Sequence, residues 1–412
     1  MRHWKNYTVG AVLTCFSLLT MADDAWQLDG KLQTGIWSSN RSLDNHEIIF
    51  PATVALKGKA NLSDDIALVA DGRMGDTAYF AGEKNAVARE FYLDYRQNDW
   101  DVRLGKQILP WGRADRINPT DSLTSRDYRW LAPEEEDSRF GNTGIRYNYH
   151  LSDYTLTGVW LPSMSTTRIP LGTPYQSFVE IKQPNNLDNF AIKLDYTGAA
   201  IDAALSFYSG VDTSPTLESN PSIAKPYALL NRRIQRYGGD MAYGMGTYTL
   251  RAEVAYTQTG KTDNEFSGKK YNYVQSVMGI EKQFANSMNI NLQVVWQSAL
   301  DWHGAGYWQS PIQQQLTVFE QIINQQPTEN YFGVAYRASK KYFNDTLELE
   351  ISGLGLSQNQ GLMTRPRVHY QISDEWTVAV GGDYYDGQTN SIFGRLKGNN
   401  TMFIETNYNF GI

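Results

Sequence analysis

The chain has almost no cysteine: one residue, Cys15, among 412. Cys15 lies in a short apolar run that follows a positively charged start, and small residues end this segment at Ala22. This order is typical of a secretory signal peptide, so we predict a signal peptide at 1–22 with cleavage after Ala22. The exported chain then carries no thiol, which excludes disulfides and thiolate metal sites.

Long apolar runs are also missing. After residue 22 no segment approaches the roughly 20 apolar residues that a membrane-spanning helix needs. Basic residues are in the minority, 37 Lys and Arg against 44 Asp and Glu, whereas aromatic residues reach 13%. The acidic balance disfavours a nucleic-acid partner. An exported, aromatic-rich chain without helical spans can still enter a membrane as a closed β-barrel, because closure satisfies every backbone group in lipid.

Histidine is scarce and does not stand in a catalytic setting. The four histidines after the signal segment are His46, His150, His303 and His369. The sequence contains no G-x-S-x-G, H-E-x-x-H or paired-cysteine motif. Only His303, beside Trp302 in a long loop, would be worth testing. We therefore expect no enzyme activity, no catalytic residue, no metal and no cofactor, and an outer-membrane hydrolase is the weakest alternative.

Apolar and polar side chains alternate along most of the chain, which is the pattern of strands with one wet face. In one segment Ile290, Leu292 and Val294 alternate with polar residues. Eighteen such segments are present, or sixteen if two weak ones fail. The predicted strands are 26–37, 53–62, 66–73, 88–97, 100–108, 140–149, 154–161, 189–197, 201–209, 235–243, 247–257, 273–284, 289–298, 331–343, 346–354, 364–372, 376–384 and 402–412.

The connections alternate in length. Tight turns rich in Ser, Asn, Asp and Gly follow the even-numbered strands, and longer polar loops mostly follow the odd-numbered ones. This is the plan of an outer-membrane barrel. A periplasmic propeller or sandwich is disfavoured, because no four-strand period is visible and Glu253 and Glu350 would be costly in a dry core. We predict one antiparallel barrel over 23–412, with short periplasmic turns and long extracellular loops.

One loop carries a helix signal. Ser310 and Pro311 are followed by apolar residues at helical spacing, Leu316, Phe319 and Ile323 among them. We predict a short amphipathic helix near 311–325. It is expected to pack on the barrel rim or on neighbouring loops, and the alternative is a lid or plug that lines an apolar path.

Another loop, 109–139, concentrates charged and aromatic residues. Its arginines can fork onto carboxylates or phosphates. They either pair with nearby acids and pin the loop inside the lumen, or some stay unpaired and form a selective constriction, and both can hold. The candidate constriction residues are Trp111, Arg113, Asp115, Arg116, Asn118, Asp121, Arg126 and Arg129.

The run Arg103-Leu-Gly-Lys-Gln-Ile-Leu-Pro-Trp-Gly-Arg-Ala-Asp-Arg-Ile-Asn-Pro-Thr-Asp121, with Ser125-Arg-Asp-Tyr128 after it, resembles a family signature. It is similar to that of Gram-negative, porin-like outer-membrane proteins of the family of unknown function 1302. The match covers about forty residues. The resemblance implies an outer-membrane barrel that passes a substrate. Family members are often encoded near inner-membrane efflux pumps and periplasmic lipid-carrier-like proteins, so it also implies one of these as a partner.

Together the patterns predict a porin-like channel or export conduit in the outer membrane for a small anionic or amphipathic solute. Loop 109–139 would form its constriction. The alternative is a surface receptor, or an assembly or lipid-transport component, with a plugged barrel. The expected contacts are outer-membrane lipid and a small-molecule solute or lipid.

Overall fold

The computed structural model describes residues 26–40, 48–76, 84–115, 117–129, 135–169, 177–182, 184, 188–220, 222, 224–260 and 270–411. The predicted signal peptide, 1–22, lies outside the described residues.

Eighteen long strands form one closed antiparallel sheet, which confirms the predicted barrel and its larger strand number. The first and last strands pair from Asp29↔Gly411 to Ser39↔Thr401 and close the ring. A two-residue strand, Ile48–Ile49, joins the first strand at one end. The barrel strands are β1 (Trp26–Ser39), β2 (Ala52–Asn61), β3 (Ile66–Asp76), β4 (Lys84–Arg96), β5 (Trp100–Gln107), β6 (Asn142–Leu151), β7 (Tyr154–Leu161), β8 (Asn189–Thr197), β9 (Ile201–Val211), β10 (Arg233–Met245), β11 (Tyr248–Thr259), β12 (Tyr273–Gln283), β13 (Met288–Ala299), β14 (Asn330–Tyr342), β15 (Leu347–Leu356), β16 (Gly361–Gln371), β17 (Trp376–Asp386) and β18 (Thr401–Gly411).

Alternation along each strand sends apolar side chains outward and polar ones inward. On β8, Phe190 and Ile192 are 51% and 48% exposed, whereas Ala191 between them is 5% exposed. On β13, Leu292 is exposed while Gln293 is buried in the lumen. An apolar exterior around a polar interior is the arrangement of a barrel surrounded by lipid. The fold and this surface place the protein in an outer membrane.

The two rims differ as predicted. Turns of a few residues follow β2, β4, β6, β8, β10, β12, β14 and β16, and the longer connections gather at the other rim. Aromatic side chains flank the short turns. Tyr95 and Trp100 lie 5.3 Å apart across one turn, and Tyr154 lies 5.1 Å from Tyr196 beside the next. Such aromatic belts are typical of a membrane–water interface.

A β-bulge interrupts the pairing of β3 with β4. Asp71 pairs with Glu90, but Gly72 pairs with Ala88, so Arg89 is the extra residue. A bulge re-aims side chains. The guanidinium of Arg89 reaches Asp71 at 3.4 Å.

The predicted loop helix is confirmed as α1 (Pro311–Ile323), with Ser310 at the N-cap and Pro311 in the first turn. Phe319 and Ile323 pack against a small apolar cluster made by other loops. No helix among the described residues is long and apolar enough to cross a membrane. The helix packs on neighbouring loops, as expected first, and its role as a lid or plug stays a prediction.

The cluster under α1 belongs to a three-stranded sheet built only from long loops, which we call the loop sheet. Its strands are Val179–Ile181, Thr216–Ser219 and Tyr227–Leu230. The outer two pair with the third in parallel and antiparallel fashion, respectively. Asn324, just after α1, accepts the backbone N–H of Leu217 at 3.0 Å. Helix and loop sheet together form one packed body at the long-loop rim, which we call the rim body.

Candidate constriction and its anchors

We call residues 109–139 the inward loop, and its described part, 109–115, 117–129 and 135–139, folds into the barrel and packs on its inner wall. Trp111 is 7% exposed and belongs to an apolar cluster. The other members are Leu109, Leu123, Val159, Leu161, Met164, Ala191, Tyr208, Val211 and Ile234. The ammonium of Lys193 lies 5.8 Å from the centre of the indole ring. Trp111 therefore fixes the first part of the loop to the wall formed by β7–β10.

Glu253 on β11 holds the turn of the loop. One carboxylate oxygen, Oε1, accepts the backbone N–H groups of Arg113 and Ala114. The same oxygen accepts Asn118 Nδ2 at 3.1 Å, and Oε2 accepts Thr120 Oγ1 at 3.0 Å. Glu253 is 2% exposed, so this carboxylate is satisfied almost entirely by the loop.

Gly112 makes this approach geometrically possible. Its φ of +94° lies in the region that side chains rarely adopt, and a Cβ there would lie 2.7 Å from Glu253 Oε1. Glycine turns the chain so that the two following N–H groups converge on one oxygen. A larger residue at this position would strain the backbone and displace the carboxylate of Glu253.

The side chain of Arg113 is bound by two carboxylates of the wall. Its guanidinium contacts Asp240 and lies 3.2 Å from Asp195. Burial would lower the pKa of Arg113, but Asp240 and Asp195 offset this and raise it. The guanidinium is thus a permanent charge whose field the wall largely neutralises.

The tip of the loop reaches the far wall. Ala114 packs with Val277 and Val295 on β12 and β13. Asp115 forms an ion pair with Arg337 on β14, at 3.3 Å. Strand β14 stands nine places from β5, where the loop begins (14 − 5 = 9), so in a ring of eighteen it is the opposite strand. The loop therefore extends across the full width of the lumen.

In the next segment, residues 121–129, two aspartates of the segment itself, Asp121 and Asp127, make the main polar contacts. Asp121 accepts the backbone N–H of Leu123 at 3.3 Å and of Thr124 at 3.2 Å, and Arg126 lies 3.9 Å away. Burial raises the pKa of Asp121 despite these contacts. Asp127 pairs with Arg129 at 3.0 Å, and further with Arg168 at 3.1 Å.

The return limb, around the 3₁₀ turn Glu135–Ser138, lies against the wall at β1, β3 and β4. Asp137 contacts Arg73 and lies 3.6 Å from Lys31. Burial would raise the pKa of Asp137, but these two cations hold it below its usual range. Arg89, aimed by the bulge, donates to the carbonyl of Arg139 at 3.0 Å.

The structure brings the predicted site residues together in the inward loop, except Arg116, which lies outside the described residues. Trp111 faces the wall, and Arg113, Arg126 and Arg129 all have carboxylate neighbours. This arrangement is the pinned loop that the sequence allowed. The role of these residues at a constriction stays a prediction.

Several wall residues of the site were not candidates from the sequence. The anchors Glu253, Asp240 and Arg337 lie on strands more than a hundred residues from the loop. Alternation puts Glu253 on the polar face of its strand, which was the only available signal.

His303 lies among aromatic rings. Its imidazole is 4.6 Å from the ring of Tyr307, edge to face, and 6.3 Å from that of Tyr271. The part of the chain that the structure describes contains no group of three His, Cys, Asp or Glu residues that could hold a metal. His150, near a short turn, is hydrogen-bonded to Asp101 at 2.9 Å.

Fold and surface define an outer-membrane β-barrel, and solved structures of this class are similar to it. OpdK of Pseudomonas aeruginosa, solved with vanillate, has a TM-score of 0.60 at 8% identity, over 94% of this chain and 99% of that one. OccD3 (OpdP) of the same organism has a TM-score of 0.58 at 10% identity, over 95% of this chain and 93% of that one. OccAB4 of Acinetobacter baumannii has a TM-score of 0.55 at 10% identity, over 95% of this chain and 99% of that one. At these identities the likeness concerns the fold.

No protein-family model and no curated protein sequence matches the chain. The resemblance to the family of unknown function 1302 therefore stays a prediction, as do the pump and carrier partners that it implies.

Proposed function

We propose that this protein is a porin-like channel of the outer membrane that passes a small anionic or amphipathic solute, with the inward loop as its constriction. The observation that carries this proposal is the Asp115–Arg337 ion pair, which fixes the loop to the wall opposite its origin. A barrel of eighteen strands is wide enough for an aqueous lumen. A loop held across that lumen narrows it and selects by size and charge.

Charge supports an anionic solute. Near the return limb, basic side chains outnumber acidic ones, with Arg73, Arg89, Lys106, Arg139 and Arg168 around one cavity. Arginine presents a planar fork of donors that matches carboxylates and phosphates. One protein of the same fold, OpdK, was solved with vanillate, an aromatic carboxylate.

A second candidate is a plugged barrel that acts as a surface receptor or as an assembly or lipid-transport component. The rim body of α1 and the loop sheet favours it, because Phe319 and Ile323 of one long loop pack on residues of two other long loops. Such a body can serve as a binding surface as well as a vestibule.

Single-channel conductance in a planar bilayer separates the two. Stable conductance, blocked by anionic but not by apolar solutes, supports the channel and its solute class. Block by apolar solutes alone would contradict the anionic preference, and a folded but silent barrel would contradict the channel and favour the receptor.

Variants test the constriction directly. Arg113→Ala and Arg116→Ala are expected to reduce anion selectivity without preventing assembly. Arg251→Ala is the matched control, since Arg251 is paired with an acid, Glu281, but lies on a wall strand and not in the inward loop. Selectivity equal to wild type in folded Arg113→Ala and Arg116→Ala would rule out their role at a constriction.

A further inference from the structure

A small polar cavity lies between the return limb of the inward loop and the barrel wall, and we call it the limb cavity. Its volume is ≈ 70 Å³. Since roughly 10–15 Å³ of such volume holds one water, the space admits a few waters or one carboxylate or phosphate group. The residues that carry the argument are Arg89, Lys106, Asp127, Asp137, Arg139 and Arg168.

The lining carries more positive than negative charge. Five basic side chains border the cavity, together with two carboxylates, those of Asp127 and Asp137. Asp137 is engaged by Arg73, and Asp127 by Arg168 at 3.1 Å. The carboxylate that balances Arg89 is Asp71, at 3.4 Å. Among the described residues, Lys106 and Arg139 are left without a carboxylate at ion-pair distance, and Asp121 acts on Arg139 only from farther away.

Both remaining cations have donors without acceptors. Among the described residues, the half-buried ammonium of Lys106 has no hydrogen bond or ion pair. The Nε of Arg139 is buried and also lacks a partner there. A buried donor that loses water without gaining an acceptor is destabilising, whereas an oxyanion would supply several acceptors at once.

We infer that the limb cavity binds a small oxyanion, a carboxylate or phosphate group, between Lys106 and Arg139. This inference deepens the proposed function, on which it rests, by naming the head group that a passing solute presents beside the constriction. Lys106 supplies a point charge and Arg139 a planar fork, and Arg168 borders the same space. The oxyanion replaces the missing carboxylates.

Calorimetric titration of the purified full-length barrel in detergent tests the site. Inorganic phosphate and benzoate are titrated separately at matched ionic strength, because the two probes represent the two head groups. Wild-type protein is expected to bind at least one of them. Tighter binding of phosphate assigns a phosphate group, and tighter binding of benzoate assigns a carboxylate.

Two variants remove the charges at similar volume, Lys106→Met and Arg139→Met. Each is expected to weaken anion binding about ten-fold or more, the effect of one lost hydrogen bond to a charged group. Lys341→Met, at an exposed position near the end of β14, is the matched control and should bind as wild type does. Lys106→Met breaks no contact of the described residues, so it carries the test if Arg139→Met fails to assemble.

The inference is overturned if wild-type protein binds neither probe in the millimolar range, or if folded Lys106→Met binds as tightly as wild type. Conductance measured on the same preparation separates this result from the channel proposal. A conducting barrel that binds no anion overturns the limb cavity alone. A silent barrel that binds the anion overturns the channel and supports the cavity.

Discussion

Replacing Glu253 should release the inward loop without opening the barrel wall. Glu253 projects from β11, whose backbone pairs with β10 along the whole strand and with β12 from Tyr248 to Thr257, so Glu253→Ala leaves the wall intact. It removes the acceptor for the N–H groups of Arg113 and Ala114 and for the side chains of Asn118 and Thr120. The backbone of the turn then has no charged partner, while the side chains of Arg113 and Asp115 keep their ion pairs with the wall.

The contacts set the size of the effect. Each hydrogen bond to a buried charged acceptor contributes about 1.5–3 kcal/mol, but in a wet lumen the freed donors regain water. Four donors at about 0.8 kcal/mol each give about 3 kcal/mol, at the lower end of the cost of breaking a buried charged network. A change of about 3 kcal/mol raises the population of the released loop about 100-fold. Glu253→Gln keeps one carbonyl acceptor and should cost about half as much.

Single-channel recording reports this population. Glu253→Ala is expected to show frequent transitions to a second conductance level and weaker ion selectivity, with Glu253→Gln intermediate. Limited proteolysis should cleave the inward loop of the folded variant faster than that of wild type. Glu281→Ala is the control, because Glu281 is a neighbouring wall carboxylate whose partners are Arg251 and Asn289.

One result would refute this reasoning. If folded Glu253→Ala showed the conductance levels, selectivity and protease resistance of wild type, the carboxylate would not hold the loop. The same changes in Glu281→Ala would show that any loss of lumen charge produces them.

Three further predictions concern other anchors. Trp111→Ala should reduce the free energy of packing the inward loop on its apolar cluster by about 3–5 kcal/mol and should speed tryptic cleavage of the loop. Trp111→Phe should cost much less, because it keeps an aromatic ring in the cluster. Asp212 and Lys270 form a buried ion pair at 2.7 Å outside the strands. Asp212→Ala should therefore lower the free energy of unfolding by about 3–5 kcal/mol in thermal unfolding, and the additional change Lys270→Met should restore most of the loss. Equal losses in the single and double variants would contradict the pairing. The pKa of Asp137 is lowered in the fold, so the ionised group stabilises the return limb above the ordinary carboxyl value of 3.8, and this contribution disappears only as the pH falls further. Proteolysis of the limb should therefore be flat down to that pH and rise below it, and Asp137→Asn should abolish the rise.

The barrel wall was predictable because lipid outside and water inside impose a period of two on every strand. Leu292 and Val294 face outward and Gln293 faces inward, as alternation indicates. Where the period breaks, the prediction stopped early. Arg89 and Glu90 both face inward at the bulge, so the predicted strand began at residue 88, whereas β4 begins at Lys84.

The loop contacts could not be read from the sequence. The strands of the loop sheet are three or four residues long, too short for a periodic pattern, and Val179–Ile181 pairs in parallel with a segment of another loop. Glu253 is 140 residues from Arg113, and alternation reveals only that its side chain enters the lumen. Which loop contacts Glu253 depends on how all eighteen strands close into the barrel.

The carboxylate of Glu253 binds backbone N–H groups as well as side chains, so the position of the turn depends little on which side chains the turn presents. The N–H groups of residues 113 and 114 persist whatever side chains stand there, provided that Gly112 keeps its turn. Side chains around the turn can therefore be exchanged while its backbone contacts survive. In the proposed channel, selectivity could then be changed by design or by natural mutation one side chain at a time.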